Sequence, residues 1–578
     1  MIGQMSSRLK AQDAAVFEQA GLPSLQINPP IGRLSCLPPE VMNMIIEEID
    51  DKRCLKNLTI TSKALYSLAI PQLFRRIERS CAVHAHIAKF IKTTEPFLSI
   101  EQRKHLKIEG VYKGQQETFP DGVDARKKPE IARYIRQSLL EMGNPGPKHR
   151  YIVHRYVEEL LKNVDNLELL GITILTESIA KKLTMKKSLK ALYLHISLPV
   201  NAGFEDGGVL NTLKGLRHLS LYKEDFWDSN AGNKVGAEML IWNPRSTMRS
   251  IELNESIFHR MHRQWEETGD KPPRQGYLSA LKSFSVIWGI FDHEETDAII
   301  QAIDFVKLEE LKLGRGNTGT GLLYRRLINA FSTAGKENIR LGSLQMNLEV
   351  DPDDGIEFLA SFDTLTRLSI CDSGVHIADS ENYSLDDSLL QGLFMHKNLT
   401  TLKLTNKNSN LEGDRKLELD AQMVSKFIIN FPNLRHLHFY FDERQLKEIA
   451  EPLSHGKKLE KICAKTHTWG FSYDKRLDTA RRFLHYLARP VLEHGPDQAN
   501  FRWEDHTKIK YVVCNRVKFE VGSRFEKTKG AKKALKIESP WDSKSQVLYR
   551  HVLGNSTIIK QGIDVMRKWA DKVSKDLD

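Results

Sequence analysis

From Leu167 onward two hydrophobic patterns alternate along the chain. Short runs of the form L-x-x-L-x-apolar recur as "LELLGI", "LKALYL", "LRHLSL", "MRSIEL", "LKSFSV", "LEELKL", "LGSLQM", "LTRLSI", "LTTLKL", "LRHLHF" and "LEKICA". They begin at Leu167, Leu189, Leu216, Met248, Leu281, Leu308, Leu341, Leu365, Leu399, Leu434 and Leu459, in steps of 22 to 35 residues. Most end in a period-two alternation, which predicts a strand. The stretches between them, including "TESIAKKLTMKK", "HEETDAIIQAIDF", "GLLYRRLINAF", "DAQMVSKFIINF" and "ERQLKEIAEPL", repeat their apolar residues every three or four positions, which predicts helices. Strand, loop and helix in repetition predict an α/β solenoid. Parallel strands make one face and helices cover the other, because no unit can bury its leucines without neighbours. The same pattern at Leu22, Leu55, Leu65 and Leu390 lies in helical context and is read as helix packing.

The steps average about 29 residues and resemble those of leucine-rich repeats. That resemblance implies a curved array whose strands line a concave recognition surface. Alternation then places Tyr193 and His195, Ser220 and Tyr222, Lys403 and Thr405, and His438 and Tyr440 on that surface. Tyr193, His195, Tyr222, Lys403, His438 and Tyr440 are the candidate substrate contacts, since aromatic and basic groups on an open sheet suit protein recognition. An earlier strand, "HLKIEG" at His105–Gly110, is expected to begin the array, followed by the polar insertion "GVYKGQQETFPDGVDARKKPE". After the last unit, "KIKYVVCNRVKFEVG" alternates in two runs and predicts a hairpin covering the open end of the sheet. "SKSQVLYRHVLGNSTIIKQGIDVMRKWADKV" predicts one or two amphipathic helices able to pack on the array or on a partner, with Ile558, Ile559, Ile563, Val565, Met566 and Trp569 apolar.

The N-terminal region has a different pattern. Between Leu37 and Ile77, Pro38 and Pro39 sit where a helix starts, and Glu40 suits its positive end. Val41, Ile45 and Ile49 form one stripe, and Asp50 and Asp51 supply a turn and an N-cap. Leu55 and Leu58 mark a second helix, and Leu65 and Leu68 a third, which Pro71 is expected to break before Leu73 and Phe74. Three short helices with this many apolar faces imply a partner surface. Leu37-Pro38-Pro39-Glu40-Val41, the Ile45 and Ile49 spacing, Leu55, Leu58 and "TSKAL" resemble an F-box, and the tail "LAIPQLFRRI" resembles fungal members of that family. Leu65 stands where many members carry a Trp, keeping the position apolar. The resemblance implies docking onto the Skp adaptor of a cullin-RING ubiquitin ligase, with Leu37, Pro38, Val41, Ile45, Leu55, Leu58 and Leu65 as candidate adaptor contacts.

Composition changes this picture little. The 578 residues are 40% hydrophobic and 28% charged, an ordinary globular balance, and no apolar run approaches the ~18 residues of a membrane-spanning helix. The first residues, "MIGQMSSRLKAQDAAVFEQ", lack the pattern of a secretory signal. Six cysteines without CxxC spacing fit reduced thiols in the cytoplasm or nucleus, so no metal and no disulfide frame are expected. The net charge is +11. Ten Lys or Arg between Lys508 and Lys536, against Glu520 and Glu526, are read first as a solvated basic surface and second as a dock for an acidic protein or nucleic acid.

Catalytic motifs are weak. "GRGNTGTG" at Gly314–Gly321 stands between a predicted strand and helix, as a dinucleotide fingerprint would, but there is no doubly wound half to complete a cofactor site. No Lys follows Gly319 as a P-loop requires, and the "HEETD" at His293 lacks the second His of a metalloprotease helix. His84 and His86, like His259 and His262, have no further ligand at metal spacing. No cofactor is expected. The organisation read from sequence is an N-terminal extension (1–33), an F-box-like unit (34–79), a linker with a possible first repeat (80–166), the solenoid (167–470) and a C-terminal cap (471–578). The expected function is a non-enzymatic substrate receptor of the SCF type, with the Skp adaptor and cullin complex and an unknown protein substrate as partners. The alternative is an adaptor-independent repeat scaffold, and neither a membrane nor nucleic acid is an expected partner.

Overall fold

The computed structural model describes residues 37–49, 51–80, 87–103, 129–141, 147–173, 177–196, 213–223, 240–255, 257–259, 261–262, 275–314, 317–348, 352–372, 387–406, 418–466, 473–493, 507–515, 517–521, 535–538, 546–552 and 562–577. The chain divides into two compact units, Met1–Arg75 and Arg76–Asp578.

Among the described residues the first unit contains three helices, α1 (Pro39–Glu47), α2 (Lys52–Thr61) and α3 (Lys63–Arg75). Pro39 opens α1 with Glu40 in its first turn, and the Asp51 side chain caps α2 by accepting from the Arg53 backbone N–H at 2.9 Å. Ser62 caps α3, accepting from the Leu65 N–H at 3.2 Å. Ile46, Leu55 and Ala69 form the buried core of the trio, with Ile49, Leu58, Leu65, Leu68 and Leu73 packed around it. Pro71 does not break α3, which continues to Arg75. A proline in a helix interior sacrifices one hydrogen bond. Here buried Ala69 and Ile70 and the packed Leu68 and Leu73 flank it on both sides, so side-chain packing holds the helix together across the gap.

The second unit is built on one sheet of 17 strands among the described residues. These are β1 (Arg76–Ser80), β2 (Gln137–Glu141), β3 (Leu169–Ile172), β4 (Ala191–Ile196), β5 (His218–Lys223), β6 (Ser250–Glu255), β7 (Ser283–Trp288), β8 (Glu310–Leu313) and β9 (Ser343–Asn347). They continue as β10 (Arg367–Asp372), β11 (Thr401–Asn406), β12 (His436–Tyr440), β13 (Lys461–Lys465), β14 (Tyr511–Cys514), β15 (Val517–Val521), β16 (Leu535–Glu538) and β17 (Gln546–Val552). Each of the eleven sequence units supplies one of the strands β3–β13, beginning two residues after the unit's first residue. Strands β1–β14 lie side by side in chain order, every neighbouring pair parallel. Such an array of short in-register strands, each carrying a leucine pattern and followed by a return segment, is a solenoid of the leucine-rich-repeat type.

The register shows why the pattern recurs. Leu170, Leu192, Leu219, Ile251, Phe284, Leu311, Leu344, Leu368, Leu402, Leu437 and Ile462 stand opposite one another in a single column, each at most 2% exposed. The residue after each unit's leading position donates its backbone N–H to its counterpart one repeat earlier. This ladder runs from Glu168 N–H to Arg136 carbonyl through to Lys510 N–H to Glu460 carbonyl. It satisfies turn groups that burial would otherwise leave unpaired.

Helices α4 (Ile87–Thr94), α5 (Pro147–Asn163), α6 (Glu177–Thr184), α7 (His293–Ala302), α8 (Thr320–Ala334), α9 (Pro352–Ala360), α10 (Asp387–Met395), α11 (Ala421–Asn430), α12 (Leu446–Ser454) and α13 (Tyr473–Glu493) belong to this unit. Those following the repeats pack on the leucine face. A side chain on Gly355 of α9, for example, would collide with Leu348 at 2.6 Å and approach Met346 of β9 at 3.2 Å. The last helix, α14 (Gly562–Ser574), is an exception treated below.

Three sequence expectations change. The array begins before Leu167, at β1 and β2, and "HLKIEG" lies outside the described residues. β2 escaped the pattern because Ser138 occupies the leucine column opposite Leu170. At the other end β14 and β15 form the expected hairpin, turning at Asn515 with φ 48°, but residues 546–552 are a strand, β17, antiparallel to β15 and β16. Among the described residues of the predicted helical stretch only 562–574 are helical, and Ile558 and Ile559 lie outside the described residues.

Candidate functional site

Two surfaces stand out, one on each unit. On the helical unit, α1 turns Met42 and Ile46 inward and leaves Leu37, Val41, Met44 and Ile45 outside, at 36, 39, 66 and 41% exposure. Pro38 is exposed beside them. Of the candidate adaptor contacts, therefore, Leu37, Pro38, Val41 and Ile45 share one accessible apolar strip. Leu55 is buried at 3%, and half-buried Leu58 and Leu65 pack against the same internal core, so these three help hold the trio together. The residue that sequence reasoning omitted is Met44, one position from the Val41–Ile45 stripe.

On the solenoid, the face away from the leucine column is the open face. One row across it reads Leu139, Gly171, Tyr193, Ser220, Glu252, Ser285, Lys312, Gln345, Ser369, Lys403, His438, Cys463 and Val513, so Tyr193, Lys403 and His438 do share a face. They do not share an environment. Helix α14 lies across the first part of this face. Met566, Trp569, Ala570, Val573 and Leu577 form one core with Leu139, Leu169, Ala191 and Tyr193. Trp569 meets the Tyr193 ring at 5.6 Å, and Tyr193 stacks on Tyr222 at 5.3 Å. Gly171 makes the approach possible, since a Cβ there would stand 2.9 Å from both the Leu139 side chain and the Met566 sulfur.

Charged pairs edge this contact. Arg567 reaches Glu78 at 2.8 Å, Arg76 pairs with Asp571, and Lys572 pairs with Glu310 while donating to Ser283 Oγ at 3.1 Å. Burial works to raise the Glu310 carboxyl, but the Lys312 and Lys572 ammoniums outweigh it and hold its pKa down to about 2. His218, beneath Asp576, is pushed down to about 4 mainly by burial and keeps a 2.8 Å contact from Nδ1 to Ser250 Oγ. The Tyr222 hydroxyl donates to Glu252, and burial together with that carboxylate raises it far above the ordinary tyrosine value.

Consequently Tyr193, 1% exposed, is an internal packing residue rather than an open contact, and Tyr222 is half-covered by the same cluster. His195 lies in β4, and its side chain is outside the described residues. Lys403, His438 and Tyr440 sit beyond the reach of α14, on β11 and β12, with Lys403 exposed and the other two half-buried. Extending the same alternation one unit further finds Lys461 and Lys465 around Cys463 on β13, which sequence reasoning left out.

The glycine motif has packing reasons. A Cβ at Gly314 would come within 2.3 Å of the Ile287 carbonyl oxygen, and Gly319, at φ 68°, would bring one within 2.6 Å of the Phe291 carbonyl. The Gly314 N–H bonds to Val286 and the Thr318 N–H to Gly289, so both amides serve the neighbouring repeat. Gly316 lies outside the described residues. In "HEETD", buried Glu295 accepts from the backbone N–H groups of Phe258 and His259 at 3.1 and 2.8 Å, while Asp292 caps α7 through the Glu295 N–H. Among the described residues no three His, Cys, Asp or Glu side chains gather as a metal site, and no helix is long and apolar enough to cross a membrane.

No family model matches the chain, and no curated protein matches it. Among solved structures, an internalin (inlF) from Listeria monocytogenes aligns with 68% of this chain and 88% of its own at 12% identity, with a TM-score of 0.24. That likeness is too slight to bear on function. The class of protein is set by this chain's own strand register and leucine column: a leucine-rich-repeat-type solenoid, an architecture suited to protein interaction, preceded by a compact helical unit.

Proposed function

We propose that this chain is the substrate-recognition subunit of an SCF-type cullin-RING ubiquitin ligase. The helical unit docks the Skp adaptor and the open face of the solenoid holds a protein substrate. The observation that carries the reading is the strip Leu37, Pro38, Val41, Met44 and Ile45, left outside a trio whose own core is already closed by Ile46, Leu55 and Ala69. Apolar side chains clustered on one exposed helix face gain by burial against a partner. The F-box resemblance supplies the identity of that partner. On this reading the chain performs no bond chemistry. It raises the effective concentration of a substrate beside a ubiquitin-loaded enzyme.

The test is co-purification of the full chain with the Skp adaptor, wild type against a Leu37→Ala, Pro38→Ala double variant. A complex that forms with wild type and is lost in the variant, at unchanged melting temperature, supports the receptor. No complex with folded wild-type chain sinks it and leaves an adaptor-independent scaffold.

A further inference from the structure

The open face differs from one half to the other. Beneath α14 it presents Glu78 and Glu310, and the segment that lies there brings Arg567 and Lys572 to meet them around the apolar anchor Trp569. Beyond β10 cations predominate. Among the described residues the open-face positions of β11–β15 carry Lys403, Lys461, Lys465 and Lys518, with Glu520 beside them. Glu460, just ahead of β13, is approached by Arg435 at 3.7 Å and Lys510 at 3.5 Å.

The four lysines surround Cys463. Lys461 and Lys465 flank Cys463 on β13, and Lys403 and Lys518 lie two strands away on either side, roughly 10 Å at the usual strand spacing. Burial raises the Cys463 thiol, and all four lysines act together in the opposite sense. The same field reaches His438: burial first, then Lys465, Lys403 and Lys461, depress it to about 3, so the imidazole stays neutral at the centre of a cationic patch.

We propose that this patch, Lys403, Lys461, Lys465 and Lys518 with Tyr440 and Tyr511, binds an extended peptide segment rich in Asp and Glu. The proposal rests on the reading of the open face as the substrate surface and names the substrate's chemistry. Charge complementarity supports it, and the Arg567–Glu78 and Lys572–Glu310 pairs under α14 show that the same face already holds a chain segment partly through ion pairs. The aromatic rings argue for peptide over nucleic acid. Lys465 lies 5.3 Å above the Tyr440 ring and Lys518 lies 4.5 Å above Tyr511, so lysines already cover faces on which bases would stack.

The experiment is fluorescence anisotropy with the full chain and four labelled probes: a twelve-residue Asp/Glu-rich peptide, its Asn/Gln counterpart, a phosphoserine counterpart and a single-stranded oligonucleotide. Expected is saturable binding of the acidic peptide and none of the amide peptide. Affinity should fall steeply with added salt as the screening length shortens from ~10 Å at 0.1 M to ~3 Å at 1 M. It should weaken roughly tenfold or more in Lys403→Gln/Lys461→Gln/Lys465→Gln/Lys518→Gln, as expected for several partly exposed ion pairs lost together. Lys282→Gln, which removes an exposed pair with Glu309 elsewhere on the array, should change nothing. Binding of the acidic peptide that survives the fourfold change overturns the proposal. So does a preference for the oligonucleotide, or recognition of the phosphoserine peptide alone. Failure of the acidic peptide while the adaptor complex still forms removes this substrate class and leaves the receptor standing. Loss of the adaptor complex removes the receptor without altering the peptide result.

Discussion

Replacing Trp569 by Ala should release α14 from the open face without unfolding the repeats beneath. Trp569 is 5% exposed and sits at the centre of a cluster with Tyr193, Leu139, Leu169 and Ala191. A buried Trp removes ~150–250 Å² from water, worth roughly 4–6 kcal/mol at ~25 cal/mol/Å². Contact with the Tyr193 ring adds to this, and Trp-to-Ala changes in cores cost about 3–5 kcal/mol. Ordering the tail costs ~1–2 kcal/mol of backbone entropy per residue, so its net docking energy is small compared with its gross contacts. Losing the central anchor exceeds that margin. The strands retain their leucine column on the opposite face, which the substitution does not touch. Hydrogen exchange measured by mass spectrometry should show protection in residues 562–577 falling by roughly two to three orders of magnitude, at ~1.4 kcal/mol per decade. Peptides within 343–466 should keep wild-type rates. Unchanged protection of 562–577, or loss of protection through the whole array at once, would refute the assignment of α14 as a locally docked segment.

Acid should weaken the molecule in two stages. His218, at about 4 when folded against 6.5 in its ordinary state, takes up a proton first in the unfolded chain, so stability falls between pH 6.5 and 4. Glu310, held at about 2 against 4.5, contributes stability above pH 4.5 that is lost as pH falls through 2. Each shift is worth roughly 3 kcal/mol, and denaturant midpoints that stay flat from pH 7 to 4 would contradict the first stage. Gly314→Val forces its side chain into the Ile287 backbone and should lower the array's stability by several kcal/mol, roughly the upper range for point changes, read as a fall in melting temperature. Leu55→Ala should cost the helical unit ~2–5 kcal/mol as a core truncation, whereas Val41→Ser on its exposed strip should leave its helicity by circular dichroism unchanged. Ser138→Ala, removing a buried hydroxyl without a hydrogen-bond partner from the leucine column, should stabilise β2 by about 1 kcal/mol or more, measured as a higher urea midpoint.

The strands β3–β13 were legible because each repeat encodes its own fold locally. A leucine every third position, followed by an alternation, specifies which side chains enter the column, and neighbouring repeats only complete what each begins. The same local logic located α6, α7, α8, α11 and α12. It failed where one position departs from the repeat. Ser138 hides β2, and Phe74 with Ile77 replaces leucines ahead of and within β1. The strip on α1 was only partly separable from its core, because Val41 and Ile45 on one side and Met42 and Ile46 on the other are equally apolar neighbours.

The sequence by itself therefore determined the solenoid, its hairpin end and the face on which Tyr193, Lys403, His438 and Tyr440 lie, since period two assigns a side without reference to anything distant. Only the tertiary structure decided which of those residues remain open. Trp569 meets Tyr193 across more than 370 positions of chain, and no periodicity records a contact of that range. The helix docks where the face carries Glu78 and Glu310 and where Gly171 leaves room, so burial, charge and close approach together divide one continuous surface into a covered half and an open cationic half.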